Sequence, residues 1–172
     1  SASSESLSLL SELRTAVEHD QLRLFLQPKI DLASGRVVGG EALVRWQHPI
    51  RGMVSPMRFI PFAEQTGFIR ALTGWMIERC AQRSAELRAQ GLNLKFAVNL
   101  STRDLLDQDL PAKLERLLLG KSMDPRGLCL EITESAIMED PQRAMQTLKR
   151  LYDMGFGLSI DDFGTGYSSL AY

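Results

Sequence analysis

The sequence is poor in residues that staple a fold or charge a surface. Of 172 residues, two are cysteine and two are histidine, and the formal net charge is −1. Cys80 and Cys129 lie far apart, each in an apolar stretch, which speaks against a disulfide scaffold. They read as buried free thiols suited to a reducing cytoplasm. Neither His19 nor His48 has a partner at metal-ligand spacing, and His19 falls near a helix end as a surface residue. Balanced charge gives no basic face for DNA or for a membrane surface, so any phosphate must be held by a local site. No run approaches the ~20 apolar residues of a membrane span. Ser1-Ala2-Ser3-Ser4 lacks a charged-then-apolar leader pattern and reads as the tail of a linker. No repeat or low-complexity tract divides the chain, so one domain is expected.

What is present is the profile of a globular domain, 44% hydrophobic and 24% charged. Leu7, Leu10, Leu13 and Val17 recur at helical spacing and predict a leading amphipathic helix. Strand-like runs follow at 22–32 and 37–46. The turn Ala33-Ser34-Gly35-Arg36 between them is short enough to force an antiparallel pair. Ser55-Pro56 opens a short helix, and a longer one spans 69–90, closed by Gly91. Strands at 96–100, 128–133 and 158–161 then alternate with helices starting at Ser101 and at Asp140-Pro141. Five strands in this rhythm predict a parallel α/β fold, either an open doubly wound sheet or part of a (β/α) barrel. A closed barrel needs about 250 residues. In both architectures the site lies at the C-terminal ends of the strands.

Four strands carry one metal-capable side chain each near that end: Glu41, Asn99, Glu131 and Asp161. Two residues earlier stand Gly39, Ala97, Cys129 and Ser159, all small, whereas the opposite parity is bulky. Side chains two apart share a strand face, so the four candidates converge on one face over small neighbours. Such acids can cap the following helix, the reading preferred for Glu134 and Asp140. As a set they point instead to a shared divalent ion. Oxygen donors without histidine favour Mg²⁺ or Mn²⁺ over Zn²⁺. Asp162 has the opposite parity, yet a turn of the chain there delivers both carboxylates to neighbouring ions, as a two-metal site for phosphodiester hydrolysis requires. Gly164 and Gly166 in the following loop permit close backbone approach to a ligand, with the hydroxyls of Thr165, Ser168 and Ser169 nearby. Arg45 shares a face with Glu41 and Leu43; it either clamps a phosphate or bridges to solvent. Gln27 is a further polar candidate, while Trp46, Trp75, Phe59 and Phe62 read as core.

Glu41-Ala42-Leu43-Val44-Arg45-Trp46, Phe59-Ile60-Pro61-Phe62-Ala63-Glu64, Asn99-Leu100-Ser101, Glu131-Ile132-Thr133-Glu134 and the run from Asp161 to Leu170 occur in this order. The series resembles the EALxRW, FIPxAE, NLS, ExTE and DDFGTGYSSL motifs of the EAL-domain cyclic di-GMP phosphodiesterases. The resemblance implies a modified TIM-type (β/α) barrel with an antiparallel first strand, its last strands absent from this chain. Residues 1–20 would be linker and leading helix, and 21–172 the N-terminal part of the domain. It implies Mg²⁺ or Mn²⁺ held by Glu41, Asn99, Glu131 and Asp161, with Asp162 serving a second ion. Glu41, Asp161 and Asp162 would be catalytic, and Gln27, Leu43 and Arg45 would contact cyclic di-GMP. It further implies a homodimer, coupled to the metal site through the 164–170 loop, and partner signalling domains in a bacterial cytoplasmic protein. The family's lysine ending the sixth strand, and its later glutamate and glutamine, fall outside this sequence. The expected reaction is hydrolysis of cyclic di-GMP to the linear dinucleotide. The alternatives are a non-catalytic cyclic di-GMP-binding module, an inactive fragment, or a Mg²⁺ barrel enzyme acting on a carboxylate.

Overall fold

The computed structural model describes residues 2–119, 124–161 and 168–171. Helix α1 (Ala2–Glu18) leads into strands β1 (Leu22–Ile30), β2 (Val37–His48) and β3 (Gly52–Val54), then helices α2 (Pro56–Thr66) and α3 (Ile69–Ala89). There follow β4 (Lys95–Asn99), α4 (Thr102–Leu106), α5 (Leu110–Leu119) and β5 (Leu128–Thr133). The last elements are α6 (Glu134–Met138), α7 (Pro141–Asp153), β6 (Gly157–Asp161) and β7 (Ser168–Ala171). One sheet joins the strands in the order β1-β2-β4-β5-β6-β7, with β3 paired to β2. β1 runs antiparallel to β2, and the pairs β2/β4, β4/β5 and β5/β6 are parallel.

Local chemistry explains the punctuation. In the β1–β2 turn, Asp31 accepts hydrogen bonds from the Ala33 amide and the Ser34 hydroxyl, and Gly35 takes φ 70°. These bonds hold the Asp31 carboxyl below its ordinary range, the Ser34 hydroxyl contributing most. Ser55 caps α2 by accepting from the Met57 amide at 3.3 Å, with Pro56 as first helical residue. Ser101 and Asp104 form a reciprocal capping box on α4. Asp140 accepts from the Arg143 amide at 3.2 Å and so caps α7, the role its sequence position predicts.

Bulky strand residues pack against the helices. Phe96, Val98, Leu130 and Leu158 share one buried cluster with Ile77 of α3, Leu114 of α5 and Leu148 of α7. A second cluster seats Leu9 and Leu13 of α1 against Val44, Trp46, Val54, Phe59 and Leu72. Trp46 is fully buried, edge-on to Phe59 at 5.5 Å between centroids. Both cysteines are free thiols; burial pushes the Cys80 thiol up to about 12.

The structure adds elements the periodicity does not predict. β3 is three residues long, too short to display a period. α5 buries Leu110, Pro111, Leu114 and Leu118 behind a break at Asp107. Within the stretch expected as a loop after Asp161, Ser168–Ala171 pairs antiparallel with β6 and satisfies part of its open edge.

Candidate functional site

β2 alternates along its length: Ala42, Val44, Trp46 and His48 are buried, whereas Glu41, Leu43 and Arg45 are half-buried on the opposite face. β5 repeats the alternation, with Leu128, Leu130 and Ile132 buried and Cys129, Glu131 and Thr133 half-buried. The ladders then fix which positions meet. Glu41 pairs with Gln27 on one side and Ala97 on the other. Asn99 pairs with Glu131, Glu131 with Ser159, and Thr133 with Asp161. Glu41, Asn99, Glu131 and Asp161 therefore share one face with Gln27.

They do not share one row. Asn99 stands two residues beyond the β4 partner of Glu41, and Asp161 two residues beyond the β6 partner of Glu131. The small neighbours are likewise staggered, since Gly39 lies opposite Lys95 and not Ala97. A Cβ on Gly39 would stand 2.0 Å from the Lys95 carbonyl oxygen. Gly39 is small because two backbones cross there, which corrects the expectation that it clears space beneath Glu41.

The Asn99 Nδ2 amide donates to Glu41 Oε1 at 3.2 Å, so two of the four positions touch directly. Burial pushes the Glu131 carboxyl above its ordinary range; Lys29 opposes the shift, and Glu41 and Asp161 add to it. Like charges thus crowd the face, with Lys29 as the cation that offsets them. Among the described residues, no group of three or more acid, histidine or cysteine side chains is close enough together to hold an ion. Three carboxylates and an amide on one face nevertheless supply the all-oxygen donor set that Mg²⁺ or Mn²⁺ prefers. Asp162 and the Gly164–Gly166 loop lie outside the described residues.

Arg45 donates to the Val44 carbonyl at 3.1 Å and lies 5.5 Å over the Phe25 ring. Leu43 and Arg45 line a cavity of about 220 Å³ with Ile60, Leu72, Met76 and Asn99. A wider cavity of about 770 Å³ opens beyond Asn99 toward Glu131, Thr133 and Glu139. On α4, which follows the β4 strand that ends at Asn99, Asp104 is fully buried. Its Oδ2 accepts from Thr73 Oγ1 at 2.8 Å and from both the amide and hydroxyl of Ser101 at 2.9 Å. Its Oδ1 is buried with no hydrogen-bond partner.

Sequence reasoning missed Lys29, which shares the parity of Gln27 two residues before it. It also gave no role to His48. That imidazole is buried, accepts at Nδ1 from the Ile50 and Arg51 amides at 3.0 Å each, and presents Nε2 to Glu12 at 3.3 Å. Exposed His19 lies just past the end of α1, as its spacing predicts.

The sequence pattern of the EAL domain matches residues 10–172. The chain is 43% identical over 169 residues to the bifunctional diguanylate cyclase/cyclic di-GMP phosphodiesterase MucR of Pseudomonas aeruginosa, aligning 98% of this chain with 25% of that protein. It is 41% identical over 167 residues to the cyclic di-GMP phosphodiesterase PdeR of Escherichia coli, 97% of this chain against 25% of that one. The chain thus spans about a quarter of the length of these relatives. A solved complex of the PaMucR phosphodiesterase with c-di-GMP superposes with a TM-score of 0.82 at 42% identity, covering 94% of this chain and 66% of that one.

Proposed function

The chain belongs to the EAL domain family, and on that footing we propose that it forms the N-terminal part of a domain that hydrolyses cyclic di-GMP to the linear dinucleotide. The observation that carries this reading is the shared face: Glu41, Asn99 and Glu131 stand beside Leu43 and Arg45, and the Asn99 amide already contacts Glu41. The names of the relatives, cyclic di-GMP phosphodiesterases, support the same substrate.

In this reading Glu41, Asn99, Glu131 and Asp161 hold Mg²⁺ or Mn²⁺, and Asp162 serves a second ion. The bound ion supplies an ionisable water near neutral pH and withdraws charge from the phosphoryl oxygen. Arg45 orients the phosphate through its guanidinium fork. Leu43 presents an apolar surface to a base, and Gln27, level with Glu41, hydrogen-bonds the nucleotide. Burial, with Glu41 and Asp161 beside it, disfavours the charge on the Glu131 carboxylate, and a cation held there would favour its ionised form. Residues 1–20 serve as linker and leading helix and 21–172 as the first part of the domain. No helix among the described residues is long and apolar enough to cross a membrane. A cytoplasmic homodimer joined to further signalling domains belongs to the same proposal; the length of the relatives supports the further domains.

The test is incubation with cyclic di-GMP and Mg²⁺ or Mn²⁺, for this chain and for a version extended through the rest of the domain. Linear product and bound nucleotide are followed together. Metal-dependent turnover is expected, and Glu41→Ala should abolish it. Tight binding by both forms without turnover would favour the binding-module alternative instead, and surviving activity in Glu41→Ala would refute the ligand assignment.

A further inference from the structure

Glu64 sits in the last turn of α2 (Pro56–Thr66), where no basic residue accompanies it. A negative charge at a helix C-terminus is disfavoured by the aligned backbone dipoles. The Glu64 carboxylate is exposed and makes no hydrogen bond or ion pair among the described residues. It therefore serves no evident structural purpose in this place, and it weakens the helix that carries it.

Its position gives it another use. The apolar cavity beside Leu43 and Arg45 and the wider cavity beside Glu131 share four lining residues: Glu64, Asn99, Leu100 and Ser101. Glu64 thus stands on the rim between the cavities, with a metal-ligand candidate, Asn99, in the same rim. The first cavity is walled by Leu43, Ile60, Ile69, Leu72 and Met76. Such walls suit the flat face of a base and not a hydrated cation. A carboxylate is an acceptor-only group with two oxygens, so it matches a ligand edge carrying two adjacent donors. Among the nucleobases guanine has that edge, in its N1–H and 2-amino group. Adenine places an acceptor, N1, where the second donor would be.

We propose that Glu64 is a specificity-determining residue that reads the Watson–Crick edge of a guanine seated against Leu43 and Ile60. The inference rests on the cyclic di-GMP reading and names the side chain that would choose guanine. It also explains the unpaired charge at the end of α2, because two charge-assisted hydrogen bonds to the base replace the missing partner.

Binding of cyclic di-GMP, cyclic di-IMP and cyclic di-AMP is measured by calorimetry for the wild type and for Glu64→Gln, without added metal. Cyclic di-IMP keeps N1–H and lacks the 2-amino donor. The wild type should favour cyclic di-GMP over cyclic di-IMP by about 10- to 100-fold, the usual worth of a hydrogen bond to a charged group. It should favour it over cyclic di-AMP by more. In Glu64→Gln the first preference should shrink toward unity, mainly through weaker cyclic di-GMP binding, while thermal stability stays equal or rises. An unchanged GMP-to-IMP ratio in the variant overturns the assignment of Glu64 while leaving the substrate reading intact. A folded wild type that binds none of the three overturns both.

Discussion

Burial pushes the Asp104 carboxyl above its ordinary range, against the hydrogen bonds from Ser101 and Thr73 that favour the charged form. The neighbouring acid Asp107 adds to the rise. The folded state thus holds this proton more tightly than the unfolded chain does. Its stabilising contribution is fully present below the unfolded value, near 3.9, and is lost as pH rises through the folded one. The stability advantage of wild type over Asp104→Asn should accordingly be larger at pH 4 than at pH 7, read from urea midpoints at both. Equal differences at the two pH values would show that the carboxyl titrates normally. Asp107 shifts the other way: burial works to raise it, but the Lys113 ammonium at 2.8 Å and the Asp109 amide prevail and lower it. Because the two acids slope oppositely, only the comparison with Asp104→Asn isolates the first.

At the scale of elements, the contact between β2 and β4 depends on Gly39. A methyl group there meets the Lys95 carbonyl, which belongs to backbone and cannot swing aside. Gly39→Ala should cost about 1–3 kcal/mol, typical of overpacking, visible as a lowered thermal midpoint; a neutral substitution would mean that the strands separate more easily than their register suggests. Leu13→Ala tests the seat of α1 in the same way. Leu13 is buried against the Trp46 cluster, so about 2–5 kcal/mol is expected. Much of this level was legible beforehand. Strands 128–133 and 158–161, the antiparallel first pair and the caps at Ser55, Ser101 and Asp140 follow from alternation and from side chains that bond their own backbone. β3 and α5 were not legible, because β3 is held by its pairing with β2 and α5 by burial against α3 and α7. The site divides similarly. Parity alone assigned Glu41, Asn99, Glu131 and Asp161 to one face. Their levels, the contact between Asn99 and Glu41, and the reach of Lys29 depend on register between strands distant in sequence.

For the molecule as a whole, β1 and β7 end the strand order among the described residues, with β3 branching from β2. The β1–β2 hairpin is apolar toward its turn: Ile30, Leu32, Val37 and Val38 are all exposed, and Ile30 faces Val37 across the ladder. Open edges with apolar side chains associate. This chain should therefore grow in apparent mass with concentration in light scattering, and Ile30→Lys with Val37→Lys should suppress that growth. An unchanged profile would place the association elsewhere.

The staggered ladder has a geometric consequence. From Glu41 to Asp161 the candidate ligands advance four residues while crossing three strand spacings. With about 3.3 Å per residue and about 4.8 Å between strands, that climb is an incline of roughly 40°, within the tilt that strands take around a barrel axis. Measured along such an axis, the four side chains stand at one height. What looks like a staircase on the flattened sheet is an arc of a ring on the curved one, a contour on which a single ion can be approached from several strands at once.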